Sequence, residues 1–310
     1  MLLDIKRLSF LVNLQNFPSL VIDTLLVQES LTERIKVLVK ILYFTRMASD
    51  EYRQLFKNYS KRVDSLSWVR YESDGTRIHL HDNKNLTIGK LPKVFNLEQY
   101  SCELEARQRA GDLCPKIIKT CSEDGYILES KISLHPYNKS SSEALKLLKE
   151  RLFVPNLLSI SEYFSRFDHV KHSKLVREVA INYGLTEVIV SICHGDFWSG
   201  NILETSNAAV IILDWEYCGE RVQSYDAWFL VFSKWASEKR HCDSDYYLHL
   251  QKVFTMFYPI DSDLKRIKVL HMIHLFERFA THLSFGKSSI APEMEFLEAE
   301  LISITQELSL

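Results

Sequence analysis

The second half of the chain contains a strand, loop and hairpin pattern that constrains the fold more than any other feature of the sequence. An apolar segment at residues 188–193 ends abruptly at His194-Gly195-Asp196, and Asn201 opens the next apolar segment. A turn at 205–207 predicts a hairpin whose return strand ends at Asp214-Trp215-Glu216. Two carboxylates and an amide are therefore predicted to converge at the ends of adjacent strands.

These residue types suit phosphoryl transfer, which needs an oriented nucleophile and a metal that neutralises phosphate charge. An Asp in a tight loop can accept the hydrogen bond of an attacking hydroxyl, so Asp196 is the candidate catalytic base. Mg²⁺ prefers oxygen ligands, which makes Asn201 and Asp214 candidate ligands, with Glu216 as a further metal contact or a neighbour of the ligands. A single Asp after a strand is usually a turn or cap residue, but here several spaced polar positions coincide with the predicted elements.

The segments HGDFWSGNIL and IILDWE resemble the catalytic loop and metal loop of the aminoglycoside phosphotransferase and choline-kinase-like family, within the protein-kinase-like superfamily. The loop HGDFWSGN is especially similar to that of fructosamine kinases. The detailed match covers residues 191–228, and elsewhere the likeness is one of layout. The resemblance implies an α+β, bilobal protein-kinase-like fold, with a small antiparallel-sheet lobe and a larger, mostly helical lobe.

The resemblance also implies roles for individual residues. Asp196 would be the catalytic base, His194 would brace the loop, and Asp226 would pin the loop from the start of the next helix. Asn201 and Asp214 would hold Mg²⁺, and ATP would be the phosphoryl donor.

Changes in the hydrophobic period divide the chain into three segments. Residues 1–62 read as a helical N-terminal extension, with a capping box at 30–33 before an amphipathic segment. In residues 63–134 the apolar residues recur with a period of two, and this segment is predicted to form a small nucleotide-binding lobe and hinge. Residues 135–310 read as the large catalytic and substrate-binding lobe, which opens after a Ser-rich linker at 139–142 and contains helices at 141–153 and 159–183.

Three successive strands are predicted in the small lobe, at 67–72, 77–82 and 86–90. The turn that contains Gly75 would cover the phosphates by the resemblance, although a plain hairpin turn explains a single glycine equally well. Alternation places Lys90 on the face of the third strand that the resemblance assigns to the nucleotide, and Lys93 is the alternative phosphate-binding lysine.

A helix predicted at 97–110 offers two carboxylates as the partner of Lys90, Glu103 and Glu105. We favour Glu103, while solvated side chains remain the alternative for both lysine and glutamate. Two further strands are predicted at 116–120 and 126–131. By resemblance the second leads into the hinge, so the backbone of Glu129, Ser130 and Lys131 would contact the adenine.

Composition narrows the classes of partner. The 310 residues carry a formal charge of −2 with a pI near 6.6, which gives no basic field for a nucleic acid. Polar residues interrupt every apolar run among residues 1–27, so we expect no membrane span. The six cysteines show no ligand or redox spacing, which indicates a reduced, cytoplasmic protein in which Cys193 is a small buried hydrophobe. Nothing in the sequence indicates an oligomeric state.

The predicted function is ATP-dependent phosphorylation of a small-molecule hydroxyl, on a sugar, amino sugar or glycated amine by analogy with the resembling family. The ring of Trp198 would either stack on a sugar or pack against the large lobe. His271 and His274 share a helix face without a third ligand at useful spacing, so they read as core histidines. Two alternatives remain: a protein kinase acting on a partner protein, and a catalytically silent nucleotide-binding pseudokinase.

Overall fold

The computed structural model describes eleven stretches of the chain. The described residues are 2–5, 8–12, 66–72, 77–82, 87–92, 96–132, 134–137, 140–238, 242–258, 263–285 and 292–309. The chain forms two compact units. The first contains Met1–Leu97 and Pro115–Ser133, and the second contains Glu98–Cys114 and Leu134–Leu310. The helix that we expected in the small lobe therefore counts with the second unit.

The first unit is built on an antiparallel sheet with the strand order β1-β2-β3-β4-β5-β7-β6 over the described residues. Its strands are β1 (Leu2–Ile5), β2 (Leu8–Val12), β3 (Leu66–Glu72), β4 (Arg77–Asp82), β5 (Thr87–Pro92), β6 (Ile117–Cys121) and β7 (Tyr126–Ser130). The structure confirms the predicted run of three strands and the later strand pair, with ends shifted by one or two residues.

The prediction that residues 1–62 are mostly helical is wrong for β1 and β2. These segments pair with each other, and β2 continues the sheet by pairing with β3. A short apolar run fits a strand or a helix equally well by periodicity, and here the edge of the sheet decides the outcome. The rest of the segment, including the capping box at 30–33, lies outside the described residues.

The second unit combines helices with two small antiparallel sheets, ordered β13-β10-β9 and β12-β11-β8. The strands are β8 (Leu134–Pro136), β9 (Asn156–Ser159), β10 (Glu187–Cys193), β11 (Ile202–Thr205), β12 (Val210–Ile212) and β13 (Gly219–Val222). The helices are α1 (Leu97–Ala110), α2 (Ser141–Leu152), α3 (Ile160–Ser165), α4 (Ser173–Asn182), α5 (Tyr225–Ser237), α6 (Ser244–Phe257), α7 (Leu264–Ser284) and α8 (Pro292–Ser309). Among the described helices, none combines the length and apolar composition that a membrane crossing requires.

The single helix predicted at 159–183 is wrong, because the structure divides this region. Ser159 ends β9 and caps α3, accepting a hydrogen bond from the backbone N–H of Glu162 over 3.1 Å. His172 then adopts a left-handed conformation with φ of 72° immediately before α4. The region instead forms the two short helices Ile160–Ser165 and Ser173–Asn182, and only Ser159 of the predicted helix belongs to the strand that pairs with β10.

The core of the second unit surrounds α5 and α7. As the sequence predicted, α5 is buried on nearly all sides, and Trp228 stacks on Phe232 with ring centroids 4.7 Å apart. A fully buried apolar side chain of this kind contributes roughly 1.5–3 kcal/mol. This packing provides the rigid frame on which the loop after β10 is held.

Candidate active site

The loop at 194–198 leaves the carboxyl end of β10, the middle strand of its sheet, and leads through a 3₁₀ turn at Ser199–Asn201 into β11. Gly195 has φ of +82°, and a Cβ atom there would lie 2.0 Å from the carbonyl oxygen of Tyr217. A side chain at this position would be strained and would also clash with backbone. The tight turn that presents Asp196 therefore requires glycine at 195.

Asp226, in the first turn of α5, holds the backbone of this loop. Its Oδ2 accepts a hydrogen bond from the N–H of His194 (2.8 Å), and its Oδ1 accepts one from the N–H of Gly195 (2.9 Å). The residue is 5% exposed, and burial raises the pKa of Asp226, an effect opposed by His194 and the two N–H donors. The carboxylate thus satisfies two buried donors that would otherwise lack partners.

His194 links the loop to the segment before Asp214. Its Nε2 donates to the carbonyl oxygen of Leu213 (2.7 Å), while its Nδ1 accepts from the N–H of Asp196 (3.2 Å). This pattern fixes the imidazole tautomer with its proton on Nε2. The ring also meets Trp215 edge-on at 4.7 Å between centroids. The bracing role that the resemblance implies for His194 stays a prediction.

The carboxylate of Asp196 is held at both oxygens. Asn201 donates from Nδ2 to Oδ2 of Asp196 and to its backbone carbonyl, each over 2.9 Å. Oδ1 accepts from Nη2 of Arg278, also over 2.9 Å. The side chain is 16% exposed, and each carboxylate oxygen has a second lone pair. Asp196 can therefore accept one more hydrogen bond, from a hydroxyl.

Arg278, on α7, is the residue of this site that sequence reasoning missed. Its Nη1 also donates to the carbonyl oxygen of Gly195 (3.0 Å). The guanidinium carbon lies 4.4 Å from the ring centroid of Phe229 and 5.0 Å from that of Tyr217. Arg278 lies 82 positions after Asp196, so no local motif joins them. The sequence around Arg278 also contains Glu277, His274 and His282, so the charge of Arg278 did not single it out.

Asp214 lies next to Asn201 along the hairpin, because the N–H of Leu213 donates to the carbonyl oxygen of Asn201 (2.9 Å). It adopts a left-handed conformation (φ 58°, ψ 59°), which is uncommon for a residue with a side chain and concentrates at functional sites. Glu216 follows in the 3₁₀ turn Trp215–Tyr217, and its carbonyl oxygen accepts from Nε2 of Gln99 over 2.9 Å.

The oxygen donors of this region fit Mg²⁺ better than a metal that needs a full protein cage. The described residues contain no cluster of three or more His, Cys, Asp or Glu side chains suited to a metal. Mg²⁺ usually keeps several waters and takes one or two carboxylates together with phosphate oxygens. Because Nδ2 of Asn201 is directed to Asp196, Oδ1 is the atom that this amide can offer. An Asn oxygen and the Asp214 carboxylate match that chemistry.

In the first unit, Lys90 has a partner that the sequence prediction did not foresee. Its Nζ lies 3.0 Å from Oε1 of Glu129, and both side chains are largely buried. In the register of β5 and β7, Glu129 is opposite Ile88, two residues before Lys90, so the pair is diagonal on one face. The resemblance implies only a backbone role for Glu129. The pairing depends on the strand register, which alternation alone does not give.

The two carboxylates considered as partners of Lys90 have partners on their own helix, α1. Glu103 is buried and lies 3.4 Å from Nη1 of Arg107, while Glu105 is exposed and lies 2.5 Å from Nη2 of Arg109. The pairing of Lys90 with Glu103 stays a prediction.

The other predicted nucleotide contacts are only partly within the residues that the structure describes. Gly75 and the alternative lysine Lys93 lie outside the described residues. Glu129 has a strand on each side, with β5 and β6 as neighbours. The exposed Lys131 is therefore the first residue of the predicted hinge whose backbone lies beyond the sheet. The adenine contact stays a prediction.

Several side chains that could have been mistaken for functional groups have structural partners. Burial raises the pKa of the Cys193 thiol well above its ordinary value. His271 accepts from Nε1 of Trp228 over 2.9 Å, and His274 contacts Glu277 over 2.7 Å. Trp198, in contrast, is 42% exposed.

No protein-family model matches the sequence, and no curated protein matches it significantly. Several solved structures do match the chain. Choline kinase LicA from Streptococcus pneumoniae is 13% identical, with a TM-score of 0.55 over 82% of this chain and 98% of its own. The Plasmodium vivax ethanolamine kinase is 14% identical, with a TM-score of 0.51 over 89% of each chain. LicA in complex with AMP is 13% identical, with a TM-score of 0.51 over 84% of this chain and all of its own. At this identity the likeness shows the fold, which is the α+β protein-kinase-like fold of these kinases.

Proposed function

We propose that this protein transfers the γ-phosphoryl group of ATP to a hydroxyl group of a small molecule. The observation that carries the proposal is the state of Asp196, a partly exposed carboxylate that Asn201 and Arg278 hold at both oxygens. A carboxylate fixed in this way and still able to accept a hydrogen bond is suited to orienting a hydroxyl. The fold shared with choline and ethanolamine kinases supports the same reaction class.

Asp196 accepts the hydrogen bond of the acceptor hydroxyl and takes its proton as the hydroxyl oxygen bonds to the γ-phosphorus, while the bond from that phosphorus to the β-γ bridging oxygen breaks and ADP leaves. Asn201 holds that carboxylate through Nδ2. Its Oδ1 and the Asp214 carboxylate would bind Mg²⁺, and Glu216 would be a further contact. Bound Mg²⁺ would neutralise the charge of the phosphates. His194 and Asp226 keep the loop in the conformation that these roles require.

We further propose Lys90 as the residue that binds the phosphates of ATP. Its ammonium group is largely buried and paired with Glu129, and a positioned cation is what this reaction class uses on the triphosphate. Lys90→Gln is expected to raise the KM for ATP about tenfold or more, because one charge-assisted contact is worth roughly 1.5–3 kcal/mol. Lys119→Gln, at an exposed position of the same sheet, is the matched control. Equal KM values in the two variants would remove Lys90 from this role.

The acceptor that we propose is a sugar, an amino sugar or a glycated amine. The support is the similarity of the loop HGDFWSGN to that of fructosamine kinases and the exposed ring of Trp198 in that loop. An aromatic ring with a free face offers the flat apolar surface on which a sugar ring stacks.

A screen for acceptor-dependent ADP release tests the function. The candidates are sugars, amino sugars, glycated amines, aminoglycosides, choline and ethanolamine, and Asp196→Asn is the control. The proposal predicts release with at least one of these compounds by the wild-type protein and its loss in the variant. Transfer of label from γ-labelled ATP to a protein, with none to small molecules, would favour a protein kinase. No transfer and no nucleotide binding would contradict the proposal.

A further inference from the structure

One buried cation contacts all three segments that carry the candidate chemistry of the second unit. The guanidinium of Arg278 bonds to the loop of Asp196 and lies against Tyr217, which ends the turn after Asp214. It also lies against Phe229, which is one turn after Asp226 on α5. We infer that Arg278 is a positioning residue, which aims the Asp196 carboxylate at the acceptor hydroxyl. This inference rests on the proposed function.

The two hydrogen bonds of Arg278 set the orientation of its guanidinium group and also place its positive charge beside Asp196. One terminal nitrogen donates to Oδ1 of Asp196 (2.9 Å), and the other donates to the carbonyl oxygen of Gly195 (3.0 Å). The guanidinium is a planar fork, so two acceptors that are adjacent in the chain set its plane. Asn201 binds the opposite carboxylate oxygen. The carboxylate is therefore held from two sides and cannot rotate without breaking one of these bonds.

The aromatic contacts keep the guanidinium itself in place. Phe229 and Tyr217 lie 4.4 and 5.0 Å from the guanidinium carbon, and the residue is only 6% exposed. A lysine would lack the planar group that stacks on these rings, and its ammonium is a point charge without a fixed fork. The site thus depends on the shape of arginine and not only on its charge.

Arg221 offers an internal comparison with a purely structural arginine. It is also buried, and its guanidinium carbon lies 4.5 Å from the ring centroid of Tyr225. Its terminal nitrogens donate to the carbonyl oxygen of Tyr217 and to the hydroxyl of Thr281. Both arginines therefore stabilise the same region, but only Arg278 bonds to the candidate base. Loss of either should lower stability, whereas loss of Arg278 alone should disturb the chemical step.

The test combines Arg278→Ala, Arg278→Lys and Arg221→Ala in steady-state assays with an acceptor found in the screen. We expect Arg278→Ala to lower kcat about 10²-fold, the loss that a misplacement of about 1 Å can cause, with the KM for ATP unchanged. Guanidinium ions at millimolar, non-denaturing concentration should restore part of kcat in Arg278→Ala and should have no such effect on Arg221→Ala. Arg278→Lys should retain the charge and still lose most of kcat.

A double-mutant cycle with Asp196→Asn and a crystal structure of an Arg278 variant complete the test. If Arg278 acts through Asp196, adding Arg278→Ala to Asp196→Asn costs no further kcat. The structure of Arg278→Ala, or of Arg278→Lys if the alanine variant does not fold, should show the Asp196 carboxylate turned away from its bond to Asn201. This arm is independent of turnover, so it decides the positioning role even if the proposed function fails. An unmoved carboxylate, absent rescue, or an additive loss in the cycle would overturn the inference.

Discussion

The base and the tip of the loop after β10 each contain an aspartate, and the two carboxylates differ in their exposure and in their hydrogen-bond partners. At the base, defined by His194, Gly195 and Asp226, a buried carboxylate accepts hydrogen bonds from two backbone N–H groups. At the tip, defined by Asp196, Asn201 and Arg278, a partly exposed carboxylate is held by two other side chains. Asp226 therefore stabilises the loop conformation, whereas Asp196 is presented for chemistry. Variants of the base should therefore lose stability, and variants of the tip should lose turnover.

The largest expected effect is at the tip. Asp196→Asn should lower kcat about 10²–10⁴-fold, the range contributed by general acid or base catalysis. ATP affinity should be unchanged, because no phosphate contact is assigned to this residue. Steady-state assays and calorimetric titration with ATP measure the two quantities. Turnover equal to that of the wild-type protein would remove Asp196 from the catalytic role. It would also contradict the assignment of the chemistry to the tip of the loop.

At the base, Gly195→Ala should cause the largest loss of stability. A left-handed alanine is strained by about 1–2 kcal/mol, and here the added Cβ would also meet the Tyr217 carbonyl oxygen at 2.0 Å. Gly184→Ala separates these causes, since Gly184 has φ of +74° with nothing within 4 Å of an added Cβ. Urea unfolding should show the smaller loss for Gly184→Ala, with unchanged kcat. Equal losses would show that the close approach to Tyr217 is unimportant.

Asp226→Asn should have a smaller effect on stability. The amide group keeps one acceptor but turns a donor towards the second backbone N–H, and a buried donor without a partner costs about 1–3 kcal/mol. Asp243→Asn is the control, because Asp243 caps α6 by accepting from the N–H of Tyr246 (3.0 Å), and Asn caps as well as Asp does. Unfolding free energies of the two variants give the comparison. A stable Asp226→Asn with unaltered kcat would contradict the role of the base.

A further prediction concerns the stability of the second unit and leaves the chemistry of the loop aside. Burial lowers the pKa of His271 from 6.5 to about 3. The unfolded chain therefore binds a proton between these values that the folded protein does not, so unfolding free energy falls as pH falls from 6.5 towards 3. The contribution is about 1.4 kcal/mol per pH unit. His271→Gln should reduce the slope measured by urea unfolding across this range, and an unchanged slope would assign the acid sensitivity to other groups.

The sequence predicted the loop in detail because its parts are local. Asp196 and Asn201 are separated by four residues, and the hairpin between β11 and β12 returns Asp214 to the same end. Glycine at 195 is imposed by the turn itself. These relations follow from strand ends and turn chemistry, which a short stretch of sequence contains.

Relations between distant segments could not be predicted in the same way. The contact between Arg278 and Asp196 requires α7 to pack beneath the loop, and no periodicity specifies that packing. The pair of Lys90 and Glu129 depends on the register of β5 against β7, which alternation leaves open. The strands β1 and β2 were misread for a related reason, since their pairing with the sheet outweighs an ambiguous apolar pattern.

The most direct test of the central claim is a crystal structure with Mn²⁺ and a non-hydrolysable ATP analogue. Mn²⁺ favours the same oxygen ligands as Mg²⁺ and is located by its anomalous signal. We expect a metal bound by Oδ1 of Asn201 and the carboxylate of Asp214, with Asp196 outside the coordination shell and still bonded to Arg278. A nucleotide-bound metal that contacts neither Asn201 nor Asp214 would contradict it.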